Sequence, residues 1–141
     1  MKKTFCSHWS VLVALALCLV LSAGCSKASE ARRVLESANS DFQKKKYDEA
    51  EKEYRSVLRL SLRNPVAIRQ LGLIYFEEGR SALAFRFLQE SLKQDPKNTE
   101  VQVRMAELYG TGGDSKKAEE LLGSVLNADP GNERALSLIH I

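Results

Sequence analysis

Offset by 34 residues, this chain lies on itself, and no other feature constrains its fold as much. Ala50, Ala84 and Ala118 share that spacing, as do Ala38, Gly72 and Ala106, and Leu58, Leu92 and Leu126. Tyr75 recurs as Tyr109, Gly79 as Gly113 and Pro96 as Pro130. A fixed period of this length marks a stacked repeat, in which one unit cannot bury its apolar face alone and its neighbours complete the core. Three periods fit, as units 31–64, 65–98 and 99–132. Residues 133–141 read as the start of a fourth unit or as a truncated, artefactual tail.

Within each period the apolar residues fall three and four apart, which is helical spacing. The first unit gives one stripe of Val34, Leu35, Ala38 and Phe42 and another of Ala50, Tyr54, Val57 and Leu58, extended by Leu62. The second gives Ile68, Leu71, Gly72, Tyr75 and Phe76, then Ala84, Phe85, Leu88, Ser91 and Leu92. The third gives Val101, Met105, Leu108 and Tyr109, then Ala118, Leu121, Leu122, Val125 and Leu126. Asn64-Pro65 opens a helix, because asparagine caps and a proline at the first helical position gives up only an N–H without a partner. Ser29, Ser81, Asp114 and Ser115 are further candidate caps, and Gly79 suits a left-handed helix end. Ala38, Ala50, Gly72, Ala84, Ala106 and Ala118 are small residues at fixed points among bulky ones, which marks helix crossings. Gly72 would otherwise cost up to about 1 kcal/mol inside a helix. Tyr75 and Tyr109 supply wedges between helices, with their hydroxyls expected toward solvent. The predicted fold is all-α, a solenoid of helix pairs.

Leu71-Gly72-x-x-Tyr75, Gly79, Ala84 and Pro96, repeated as Met105-Ala106-x-x-Tyr109, Gly113, Ala118 and Pro130, resemble the tetratricopeptide repeat (TPR). The first unit departs from the pattern: Asp41 stands at the tyrosine position, Lys45 at the glycine and Leu62 at the proline. A polar, degenerate unit suits an N-terminal cap. The resemblance implies a right-handed superhelix of antiparallel pairs, with Gly72 facing Ala84 and Ala106 facing Ala118. It also implies a binding groove lined by the first helix of each unit. Those positions are Arg32, Leu35, Asn39, Phe42 and Gln43, then Val66, Arg69, Leu73, Phe76 and Glu77, then Glu100, Val103 and Glu107. Such a surface suits a helix or an extended peptide with apolar anchors and some acidic character.

The first 24 residues read differently. Lys2 and Lys3 precede an apolar run from Val11 to Leu21, too short for a membrane span of about 20 residues but suited to a signal peptide. Extended to Trp9 and Ala23, the run is also compatible with an uncleaved anchor. Leu21-Ser22-Ala23-Gly24-Cys25 resembles a bacterial lipobox, although Ser22 stands where leucine is commonest. The resemblance implies acylation at Cys25, anchoring to the bilayer, a polar tether over 25–30, and, with Ser26 next, sorting to the outer membrane facing the periplasm. The alternative is a plain signal peptide with Cys25 a bystander.

Charge and composition narrow the function. The chain of 141 residues carries 21 Lys and Arg against 18 Asp and Glu. Without Lys2 and Lys3 it is nearly neutral, which argues against a nucleic-acid binder. Cys6, Cys18 and Cys25 all lie in the first 25 residues, so no disulfide staples the repeats. The only histidines are His8 and His140, and no nucleophile, metal-ligand or acid-pair pattern is present; neither enzyme activity nor a cofactor is expected. Tyr109-Gly110-Thr111-Gly112-Gly113-Asp114 lacks the lysine and flanking strand of a phosphate loop and reads as a turn. The apolar end at 136–141 resembles adapter-derived read-through at the end of a gene fragment. The expected function is an envelope-anchored scaffold that binds a protein or peptide in assembly of a pilus, secretion or exopolysaccharide export system. The alternatives are a solenoid that self-associates through its open ends, or the N-terminal piece of a larger repeat protein.

Overall fold

A computed structural model describes residues 27–139 as seven helices. Helix α1 covers 27–43 and α2 Tyr47–Leu60; α3 is Pro65–Glu77, α4 Ser81–Gln94, α5 Thr99–Thr111, α6 Ser115–Ala128 and α7 Glu133–Leu138. Residues 1–26, with the expected signal peptide and Cys25, and residues 140–141, with His140, lie outside the described residues. Consecutive helices pack as antiparallel pairs, α1 with α2, α3 with α4 and α5 with α6, and each pair stacks on the next.

The 34-residue period is visible in the helix ends. Asn64, Asn98 and Asn132 each accept a bond from the backbone N–H three residues on, at 3.0, 3.1 and 3.0 Å, and so cap α3, α5 and α7. Residue 30 in the same register is Glu30, and α1 runs through it from residue 27, so Ser29 lies inside a helix rather than at its cap, and 27–30 is helical. Ser81 and Ser115 are the first residues of α4 and α6, not their caps; Asp114 caps α6 through the Lys117 N–H. Between the two helices of each unit the chain turns at a residue with positive φ: Lys45 at 58°, Gly79 at 71° and Gly113 at 82°. The following N–H groups, of Lys46, Arg80 and Asp114, bond back to the carbonyls of Asp41, Tyr75 and Tyr109 at 2.8–2.9 Å. This is the Schellman closure, which satisfies carbonyls the helix leaves open. Lys45 holds the glycine's conformation without being glycine.

The second helix of each unit buries one narrow stripe, Ala50, Tyr54 and Val57 in α2, Ala84, Leu88 and Ser91 in α4, and Ala118, Leu122 and Val125 in α6. The first helices are sandwiched and buried more broadly; in α3 every residue from Leu71 to Tyr75 is buried. Two apolar clusters result, one spanning the first two units as far as Met105, the other joining Val103 and Ala106 to α6 and Ala135 of α7. Leu62 is not part of the α2 stripe; it stands in the α2–α3 turn, 84% exposed. The close approach at Gly72 also differs from the expected pairing. A Cβ there would lie 2.7 Å from Leu88 Cδ2 and 3.1 Å from the Leu88 backbone nitrogen, so Leu88, one turn past Ala84, is what the missing side chain admits.

Tyr75 is fully buried, and its hydroxyl does not reach solvent. It accepts from Arg55 Nε and Nη2 at 3.1 and 2.9 Å and donates to Glu51 at 2.9 Å. Arg80, from the α3–α4 turn, lies 4.4 Å over the Tyr75 ring and meets Glu51 at 2.8 Å. This buckle ties the first unit to the second. One period later, Glu51, Arg55 and Arg80 become Phe85, Gln89 and Asp114. Accordingly Tyr109 packs edge-on against Phe85 at 5.4 Å, and its ring lies 5.2 Å from Lys117.

Candidate functional site

The first helices α1, α3, α5 and α7 lie side by side along one wall of the solenoid, because each packs on its own partner and on the preceding unit. Side chains in one register on these helices therefore form rows across the wall. Asn39, Leu73 and Glu107 make one such row, and Arg32, Val66, Glu100 and Arg134 another.

At the N-terminal end, Tyr54 of α2 donates to Asn39 Oδ1 at 2.8 Å. Burial pushes the Tyr54 phenol far above its ordinary range, against the pull of the neighbouring Arg69 guanidinium, so it stays a neutral donor. Phe42 lies half-buried against the rings of Tyr47 and Tyr54, 5.8 and 6.5 Å away. Leu35 is half-buried on the same cluster, and Arg32 and Gln43 are exposed. In α3, Val66 and Arg69 are half-buried. Arg69 Nε and Gln70 Oε1 are sequestered from solvent and have no hydrogen-bond partner among the described residues. A buried donor and a buried acceptor left open cost free energy unless something else fills them.

The C-terminal half of the wall is already paired. Arg104 meets Glu77 at 2.8 Å and Glu107 at 3.7 Å, with its guanidinium 4.7 Å over the Phe76 ring. Arg134 of α7 meets Glu107 at 2.7 Å. Its guanidinium is held more firmly protonated, first by the bond to Glu107 and also by Glu77 and Glu100. Arg104 and Arg134 flank a recess of about 220 Å³ that also takes in Thr99, Glu100 and Val103.

Two residues expected to line the groove are almost wholly buried, although Val103 still edges the recess beside Arg104. Leu73 and Val103 are each 4% exposed and belong to the core clusters, because α3 and α5 are covered by helices on more than one side. Arg104, Gln70 and Arg134 take part instead. Arg134 was legible, since it stands one period after Glu100 and two after Val66; Arg104 and Gln70 share a register with Glu36 that gave no signal of its own. Among the described residues no group of three His, Cys, Asp or Glu could hold a metal ion, and no helix is long and apolar enough to cross a membrane.

Residues 75–139 match the tetratricopeptide repeat family. The uncharacterized protein ycf37 of Pyropia yezoensis is 35% identical over 65 residues, which are 46% of this chain and 36% of that protein; this chain thus spans about a third of that relative. Among solved structures, the first TPR of Spaghetti (RPAP3) bound to the HSP90 peptide SRMEEVD superposes with a TM-score of 0.69 at 23% identity, over 78% of this chain and 87% of that one. The Yersinia enterocolitica type III secretion chaperone SycD, in complex with a peptide of the translocator YopD, superposes with a TM-score of 0.66 at 19% identity, over 77% and 88%. The architecture is that of tetratricopeptide repeats.

Proposed function

We propose that this tetratricopeptide-repeat solenoid is a docking scaffold for a peptide segment of another protein, held at the bacterial envelope through an acylated Cys25. The observation that carries the binding reading is the unfilled pair on α3. Arg69 Nε needs an acceptor and Gln70 Oε1 needs a donor, and the C=O and N–H groups of a peptide backbone laid along the wall supply one each. Asn39 and the half-buried Phe42 and Phe76 stand on either side, ready to hold an amide and apolar anchors. The C-terminal half, with Glu77, Glu100 and Glu107 against Arg104 and Arg134, is closer to self-neutralised and sets the far limit of the acidic segment. The likeness to RPAP3 and SycD, each solved with a peptide, supports the same kind of occupant. The setting is outer-membrane and periplasmic, in assembly of a pilus, secretion or exopolysaccharide export system, and rests on the lipobox-like sequence ending at Cys25.

The binding test is a fluorescence-anisotropy screen of acidic-apolar peptides against the full chain and its Arg69→Gln form. A hydrogen bond to a charged group is worth about 1.5–3 kcal/mol, so R69Q weakens a groove-bound peptide by at least about ten-fold. Equal affinity for both forms sinks the groove assignment. Anchoring is read separately, by metabolic acyl labelling of the chain in bacteria beside Cys25→Ala; label retained in the variant removes the lipoprotein reading.

A second reading, self-association, is favoured by an apolar recess beside α7. Ile139 stands in the register of the buried Leu71 and Met105, yet is 38% exposed beside a recess of about 460 Å³ lined by Ala118, Leu122 and Leu138. Sedimentation that shifts with protein concentration, and loses the shift in Ile139→Asp, would establish it.

A further inference from the structure

The turns between units are built alike, except the first. The second and third read Asp95-Pro96-Lys97-Asn98 and Asp129-Pro130-Gly131-Asn132, and each aspartate accepts from its asparagine amide, at 3.2 and 3.4 Å. The first reads Ser61-Leu62-Arg63-Asn64. The acid is gone, the proline has become a leucine, and an arginine follows. The fold does not account for the change, because Leu62 is 84% exposed and packs on neither apolar cluster. One turn back the same substitution of character recurs. Lys93 pairs with Glu90 at 3.0 Å, whereas one period earlier Arg59 meets Ser56 Oγ at 2.6 Å, a neutral partner that leaves its charge uncompensated.

The helix pairing puts more cations beside this turn. Ser37 bonds to Glu53 at 2.7 Å and Phe42 stacks on Tyr47, so α1 and α2 run antiparallel in a register that brings residues 60–63 next to 27–30. Lys27 and Arg33 stand at this end of α1, both exposed. Lys27, Arg33, Arg59 and Arg63 are in no ion pair among the described residues, and Glu30 is the acid among them.

We propose that this end of the solenoid, Leu62 with Lys27, Arg33, Arg59 and Arg63, docks on a lipid bilayer bearing anionic headgroups. The cations meet the phosphates and Leu62 enters the headgroup–acyl boundary, the arrangement in which an apolar tip and basic flanks add. The later turns keep their aspartates, so contact is confined to the first unit. The inference stands on the described residues and does not depend on acylation of Cys25.

The test is hydrogen exchange by mass spectrometry on the full chain carrying Cys25→Ser, so that acylation cannot contribute. The chain is bound to vesicles of phosphatidylcholine with or without phosphatidylglycerol. The anionic vesicles are expected to slow exchange over 59–64, and high salt to abolish the effect. Each cation near an anionic surface changes the docking equilibrium about five-fold, so Arg33→Gln with Arg63→Gln reduces it about thirty-fold. Leu62→Ser reduces it about ten-fold or more through lost apolar burial. All three residues are exposed, and unchanged circular dichroism confirms that the variants fold. The comparison region is Lys44-Lys45-Lys46, three cations at the other end of α1, about 25 Å away. Equal slowing there reduces the effect to unspecific charge and overturns the proposal, as does equal exchange on both vesicle types.

Discussion

Tyr75 and Tyr109 occupy one position of the repeat in two environments, and removing each hydroxyl separates them. In Tyr75→Phe the buckle loses two bonds accepted from Arg55 and one donated to Glu51. Bonds to charged groups contribute about 1.5–3 kcal/mol net. The lower end applies, because Glu51 keeps Arg55 at 2.7 Å and Arg80 at 2.8 Å and the Arg55 side chain is half exposed. Y75F should therefore destabilise by about 1.5 kcal/mol. Tyr109 has no hydrogen bond at its hydroxyl among the described residues, and its ring contacts survive the change, so Y109F should cost less than about 0.5 kcal/mol. Urea unfolding of both variants measures this, taking the shift in midpoint at constant slope. Equal effects would refute the reasoning, since they would mean the tyrosines act through ring packing alone.

The acid limb of stability gives a second reading of the same buckle. Burial pushes the Glu51 carboxyl up, but the Tyr75 hydroxyl and Arg80, with Arg55, outweigh it and hold it below its ordinary 4.5. A depressed folded value means the contribution is present above about 4.5 and is lost as pH falls from there through the folded value; thermal melts from neutral to acid pH should show that loss, shallower in Y75F. At the first within-unit turn, Lys45→Gly relieves a side chain at φ 58° and should stabilise by about 0.5–1 kcal/mol, while Gly79→Ala, with open space around it but φ 71°, should cost about 1 kcal/mol. Gly72→Ala forces a Cβ to 2.7 Å from Leu88 and should destabilise by about 1–2 kcal/mol, although alanine is the better helix former; a stabilised variant would show that α3 and α4 separate freely.

The sequence alone determined the helices, their pairing and the period, because these depend on local chemistry repeated at a fixed spacing. An asparagine cap, a left-handed turn residue and an i, i+4, i+7 stripe act within a few residues, so they can be read without knowing what lies across the interface. Even Lys45 obeyed the register of Gly79 and Gly113 where its identity argued otherwise. The tertiary structure decided what each register position touches. Leu73 and Val103 are core rather than groove, Gly72 admits Leu88 rather than Ala84, and the Tyr75 hydroxyl is bonded inside rather than solvated. Each of these depends on side chains a full unit away, which differ from one period to the next: Glu51 and Arg55 under Tyr75, Phe85 and Gln89 under Tyr109. A repeat fixes where the neighbours stand; which atoms they bring is set across the interface, and a pattern read along the chain does not contain it.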